Sequence, residues 1–181
     1  MGYDIKTCIG ICVDVGGVFP LVIYDSPDFR GNNSIIGGVN FDLRLNRSST
    51  VNFNSGISKI GLFHKTDRVG DIYLYPMMAE IKYNLYRWGD FIPYIAASPG
   101  LVLSHVSVKA PGSAAELKTS FTFQAGGGMD IFLTEKLSFY FDARYLMLKP
   151  EFEVRSGRSK DNTHLDLSSS TFKFGLRFYF K

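Results

Sequence analysis

Nine consecutive residues near the end of the chain alternate without a fault. Phe172, Phe174, Leu176, Phe178 and Phe180 fall on one face, and Lys173, Gly175, Arg177 and Tyr179 on the other. A period of two is a β-strand, here with one very apolar face and one polar face. The pattern recurs in most strand-like stretches, where charges stand opposite aromatic and aliphatic residues. A soluble sheet turns its apolar face inward and leaves its charges in water. A transmembrane barrel reverses the sense, with apolar residues against lipid and polar residues lining the lumen.

Eight such strands are predicted: Tyr3 to Val15, Ile36 to Asn46, Thr50 to Phe63, Asp71 to Tyr86, Phe91 to Val108, Leu117 to Asp130, Leu137 to Leu148 and Leu165 to Phe180. The third loses its alternation near Ser55-Gly56, which suggests a bulge there. Short turns at 46–49, 87–90 and 133–136 alternate with longer polar or Gly/Pro-rich links at 16–35, 64–70, 109–116 and 149–164. Short turns on one side and long loops on the other mark an outer-membrane meander. The expected fold is therefore all-β: one domain over residues 1–181, an eight-stranded antiparallel up-and-down transmembrane β-barrel.

Composition agrees. Aromatic residues make up 15% of the 181, with 16 Phe and 10 Tyr. No apolar run reaches the ~18 residues of a membrane helix, whereas barrel strands need only ~9–11. A net charge of +3, evenly spread, gives no footing for nucleic acid. The chain opens straight into a strand, without a basic and then apolar leader. An exported protein needs such a signal peptide, so it is expected to have been removed.

The inward parity collects Asp4, Lys6, Asp42, Arg44, Glu80, Lys82, Asp142, Arg144, Lys173 and Arg177. No soluble core tolerates that set. Acids and bases nearly balance, and eight strands leave little more than side-chain room inside. An ion-paired plug is expected in the lower lumen, with Asp130 also at that level. It is either the structural filling of a small barrel or a gated polar conduit. Higher up, Ile72, Leu74, Met78, Leu146 and Leu148 share the inward parity with Pro76, Leu165 and Leu167. An apolar cup above a charged floor suits a greasy ligand, unless these residues stand above the membrane under the loops. Pairing the strands around Arg87–Asp90 brings Pro76 close to Leu101 and Pro99 close to Met78. Neither proline can donate to the ladder, so the patch reads as a weakened seam for lateral exit or as two harmless edge-facing prolines.

Other residues point to less. Cys8 and Cys12 lie about 13 Å apart on a strand rising ~3.4 Å per residue, too far for a disulfide. No zinc spacing, phosphate loop or nucleotide fingerprint is present, so no metal and no cofactor are expected.

Leu74 to Tyr83, then Gly89-Asp-Phe-Ile-Pro-Tyr94 and the small-residue stretch to Gly100, resemble the middle of the OmpW family of small outer-membrane barrels. Gly126 to Leu137, continuing to Asp142-Ala-Arg-Tyr145, resembles that family's sixth and seventh strands. Thr163-His-Leu-Asp166 and Phe174 to Phe180 resemble its last strand. Opacity-type barrels share several of these features. Lys181 after the final aromatic and a weakly matched first loop depart from the pattern. The resemblance implies a narrow channel for small hydrophobic compounds, taken up from outside and released sideways into the bilayer.

The expected function is that uptake, in the bacterial outer membrane, with outer-membrane lipid and lipopolysaccharide as surroundings and a small hydrophobic ligand. The alternative is a non-transporting surface barrel, such as an adhesin or envelope-complex subunit. Its loop from Pro150 to His164, with Arg155, Arg158, Lys160 and Asp161, could bind phosphates. An enzyme is not expected. His105-Val-Ser107 is similar to the His-x-Ser pair of lipid A deacylases, with Glu116 able to orient the His. In that family, however, the motif lies near the chain end and is followed by Asn.

Overall fold

The computed structural model describes residues 8–20, 29–64, 67–108, 114–156, 159–164 and 166–180. They form β1 (Cys8–Pro20), β2 (Phe29–Gly31), β3 (Ser34–Arg44), β4 (Ser49–His64), β5 (Asp67–Asn84), β6 (Phe91–Val108), β7 (Ala114–Leu117), β8 (Ser120–Phe132), β9 (Leu137–Leu148), β10 (Glu151–Ser156), β11 (Ser159–His164) and β12 (Ser169–Phe180). Eight of these, β1, β3, β4, β5, β6, β8, β9 and β12, build an antiparallel wall. It closes on itself where β5 returns to β4. Closure follows from the solvent. In hydrocarbon each unpaired backbone group costs several kcal/mol, so a sheet edge cannot face lipid.

The side chains obey the reversed sense. Ile11, Phe41, Ile81, Leu101, Phe121, Phe141, Phe174 and Phe178 are exposed on the outside, while Asp42, Lys82, Asp130 and Arg177 are buried within. The outer band has a visible upper limit. Lys59, Tyr73 and His105 pair in one outward row across β4, β5 and β6. Two residues lower on each strand stand Ile57, Tyr75 and Leu103, all exposed and apolar. Aromatic and cationic side chains at such a boundary mark the head-group level.

Polar side chains close the short turns. Asn46 Oδ1 accepts from the amides of Ser48 and Ser49 at 2.8 and 2.9 Å. Thr134 Oγ1 accepts from Lys136 and Leu137. Gly89 takes the turn's positive φ of 61°. At the other end the wall is uneven. β4, β5 and β6 run 16, 18 and 18 residues, against 11 to 13 for the other five wall strands. Beside the wall, β11, β10 and β7 make a separate three-stranded sheet.

Four expectations need correction. The first strand runs on through Gly16 and Gly17 to Pro20; its expected start, Tyr3 to Thr7, lies outside the described residues. The last begins at Ser169, because 166–168 form a link. The sixth begins at Ser120, because the strand breaks at Lys118-Thr119, and Leu117 belongs to β7 and is buried. The bulge lies between Leu62 and Phe63. At Ser55-Gly56 the pairing with β3 is unbroken: polar residues interrupt the chemistry there, but the geometry still alternates.

Candidate functional site

β5 carries the lumen's profile on one strand. From the short turns upward its inward residues are Lys82, Glu80, Met78, Pro76, Leu74 and Ile72. Charge gives way to apolar surface between Glu80 and Met78. β9 repeats the change, from Asp142 and Arg144 to Leu146 and Leu148.

The lower tier is a bonded floor. Arg177 pairs with Asp42 and Asp130, and Lys82 shares Asp130. Arg144 reaches Glu80 at 2.7 Å and Asp142 at 2.5 Å. Tyr94 donates to Asp142 at 2.8 Å and Ser98 to Glu80 at 3.0 Å. The Lys82 ammonium lies 3.9 Å from the Tyr94 ring centroid, and the Arg177 guanidinium 4.7 Å from that of Tyr140. Gly126 and Gly128 make this packing possible. A Cβ on Gly126 would stand 2.8 Å from both Cα and Cδ of Arg144, and one on Gly128 2.7 Å from the Tyr94 hydroxyl. Arg44 donates to the backbone carbonyls of Asn46 and Arg47, closing the turn below. Asp4 and Lys6 lie outside the described residues. Asp14, Asp42, Glu80, Asp130 and Asp142 face Arg44, Lys82, Arg144, Lys173 and Arg177, so charge balances among the described lumen residues.

A middle tier follows. Asp14 Oδ2 accepts from Asn40 at 2.6 Å and from Tyr140 at 2.7 Å, while Lys173 Nζ stands 3.7 Å from Asp14 Oδ1. A polar cavity of ≈ 20 Å³ lies here. It shares Asn54, Gln124 and Lys173 with a cavity of ≈ 30 Å³ above, whose walls include Leu74, Pro76, Met78, Val102 and Leu146. Each has room for no more than a few waters.

The upper tier is packed. Ile60, Ile72, Leu74, Met78, Val102, Val106, Leu146 and Leu148 form one buried cluster, closed by Leu117 of β7 and by Leu167. Burying such a side chain contributes about 1.5–3 kcal/mol. All five residues expected in the cup are in this cluster. Ile60, Ile72 and Val106 stand one residue above the Lys59–Tyr73–His105 row, so its top lies above the lipid boundary.

The two prolines act on different edges of β5. The β4–β5 ladder skips from Ser55–Met77 to Ser58–Leu74, beside Pro76. The β5–β6 ladder skips from Met78–Gly100 to Ile81–Ala97, beside Pro99. Pro76 pairs with Val102 and Met78 with Gly100, one residue away from the expected register. Pro76 lines the upper cavity, whereas Pro99 is exposed outside.

His105 and Ser107 are both exposed on the outer face of β6. The side chains of Glu116, Arg155, Lys160 and Asp161 lie outside the described set, as does Arg158 altogether. Cys8 and Cys12 are free, buried and inward. Sequence parity alone could have singled out Tyr94, Tyr140, Asp14 and Asn40, but inward tyrosines are easily taken for an interfacial girdle.

The family model for the outer membrane protein beta-barrel domain matches residues 13–180. Sequence comparison with the curated proteins gives no match. The crystal structure of the outer membrane protein OprG from Pseudomonas aeruginosa superposes with a TM-score of 0.80 at 15% identity, covering 97% of this chain and 96% of that one. AlkL, solved by solid-state NMR in lipid bilayers, gives 0.66 at 16% identity, covering 100% and 93%. Outer membrane protein W of E. coli gives 0.66 at 14%, covering 97% and 98%. At these identities the likeness is one of fold, and it accords with the resemblance found in the sequence.

Proposed function

This chain belongs to the outer membrane protein beta-barrel domain family and lies in the bacterial outer membrane, and on that footing we propose that it takes up small hydrophobic molecules through its apolar upper lumen and releases them sideways into the bilayer. The observation that carries the reading is the order of inward residues on β5, apolar above charged, beside an interrupted ladder. A greasy solute moving down the axis would have to desolvate the ion pairs of Arg144 and Arg177, which is costly at low dielectric. At Gly56 and Pro76 one strand presents no side chain and the other no donor, so the wall there is the easier path to the acyl chains. Leu117 and Leu167 stop the upper lumen in the state described, and access requires them to move aside. Outer-membrane lipid and lipopolysaccharide surround the barrel on this reading.

The test is uptake of a small apolar compound by cells carrying Leu74→Asp or Leu146→Asp. Uptake should fall to background while heat-modifiable gel mobility shows a folded barrel. Unchanged uptake in both folded variants rejects the reading.

A second reading, a non-transporting surface barrel, is favoured by one specific observation: Leu117 and Leu167 already fill the upper lumen. Leu167→Ser separates the two. Uptake rises if the residue is a stopper, and stays at background if the barrel carries nothing.

A further inference from the structure

Between the charged floor and the apolar cluster, two opposite charges stand near each other without meeting. Asp14 Oδ1 and Lys173 Nζ are 3.7 Å apart, beyond direct hydrogen-bond length. Asn40 and Tyr140 occupy the other carboxylate oxygen. Oδ1 is buried and accepts no hydrogen bond among the described residues. Lys173 has no other ion pair or hydrogen bond among them. Lys173 is partly exposed, whereas each buried base in the described lumen is bonded directly, to a carboxylate or, for Arg44, to backbone carbonyls.

The gap opens toward the apolar side. Lys173 lines both cavities, and the upper one continues along Leu74, Met78, Val102 and Leu146. A carboxylate oxygen with no protein donor, beside an ammonium 3.7 Å away, suits one group that both donates and accepts. A hydroxyl can sit about 2.8 Å from each oxygen or nitrogen, donating to Asp14 and accepting from Lys173. A carbonyl only accepts. A carboxylate would bring a second negative charge beside Asp14, in a lumen whose described acids and bases already balance. A hydrocarbon would leave both groups unmet, at the cost of an unsatisfied buried charge.

We infer that the preferred ligand is a small apolar alcohol. Its hydroxyl bridges Asp14 and Lys173 and its hydrocarbon lies against Leu74, Met78, Val102 and Leu146. The inference rests on the uptake reading and names the substrate class for the same lumen. The cavity of ≈ 30 Å³ holds only the carbons next to the hydroxyl, and the rest of a short chain takes the room left when Leu117 and Leu167 move aside.

The experiment uses the isotope-labelled barrel in lipid nanodiscs, titrated by NMR with 1-pentanol, pentane and pentanoate. The alcohol should shift the Lys173 and Asp14 side-chain signals saturably and show contacts to Met78 and Leu146 methyls. It should bind roughly tenfold more tightly than pentane, the effect of one hydrogen bond to a charged group. Lys173→Met leaves Asp14 to accept from the hydroxyl but removes the second hydrogen bond, so it should weaken the alcohol toward pentane and leave pentane unchanged. Equal binding of alcohol and alkane by the natural chain overturns the alcohol assignment, as does pentanoate binding at least as well. Either result leaves the uptake reading standing. Absence of saturable contact from all three ligands to Met78 or Leu146, in a folded barrel, removes both. The three-ligand comparison needs no variant, so it decides even if Lys173→Met does not fold.

Discussion

Gly56 and Pro76 face each other across β4 and β5 at the one place where that ladder breaks off and resumes in the same register. Pro76 cannot donate, and it lines the upper cavity. Pro76→Ala restores an N–H without filling the cavity. It is expected to raise resistance to urea unfolding by about 1 kcal/mol, the net worth of a hydrogen bond. It should also slow uptake of apolar compounds. A variant that becomes neither more stable nor slower would show that the seam is not an exit.

Arg177 holds two buried carboxylates, Asp42 and Asp130, and only the second has another cation, Lys82, on it. Arg177→Met should therefore strand Asp42. The expected loss is about 3–5 kcal/mol, the cost of breaking a buried pair by removing one partner. Arg177→Met with Asp42→Asn should recover part of it. Urea titrations of the two variants measure the difference, and equal stabilities would contradict the pairing.

Gly126 is set by its neighbours rather than by its backbone. A Cβ there would overlap the Ala143 carbonyl and press on the Arg144 Cα at 2.8 Å. Backbone atoms cannot swing away as a side-chain tip can. Gly126→Ala is expected to cost about 1–3 kcal/mol and to disturb the Arg144 pairs. Gly89→Ala, at the solvent-facing turn with nothing near its Cβ, should cost backbone strain only. Comparing their unfolding midpoints separates packing from conformation.

Asp166 gives the link below Leu167 a dependence on pH. Partial burial opposes its ionisation, but donation from Ser168 and the charge of Lys149, 3.4 Å away, outweigh this and hold the carboxyl below its usual value. Its folded pKa is depressed. The contribution is therefore present above the ordinary aspartate range and is lost as pH falls through the folded value. Protection of the Ser168 amide, its exchange rate taken against the intrinsic rate at each pH, should stay high from neutral to mildly acid pH and fall only in stronger acid. Asp166→Asn should exchange faster already at neutral pH.

The sequence was most legible where a residue's face is decided by parity alone. Phe172 to Phe180 could be assigned in or out without any structure, and so could the change from Glu80 to Met78. Register was harder, because it depends on the turn. Trp88 pairs with Phe91 and Leu85 with Pro93, leaving Tyr86 and Arg87 opposite Ile92 alone. A turn pairing Trp88 with Phe91 would by itself set Pro76 against Leu103, and the extra residue brings it back to Val102. Leu117 was misplaced because nothing in Leu-Lys-Thr-Ser announces a strand ending and another beginning. The gap between Asp14 and Lys173 was invisible for a different reason: it is a distance between strands joined only in the closed ring.

Every wall strand pairs with its neighbours in the chain, save that β1 must find β12. Assembly can thus proceed between strands that are neighbours in the chain, where loop closure costs less than joining the termini, until a single long-range event joins the two ends. That last seam runs through twelve consecutive pairs, from Ile9–Phe180 to Pro20–Ser169, without a skip. The joint made last is continuous, and the interrupted ones, on either side of β5, lie mid-chain between strands that are neighbours in the chain. A barrel so ordered can keep a weak place in its side without risking its own closure in the membrane.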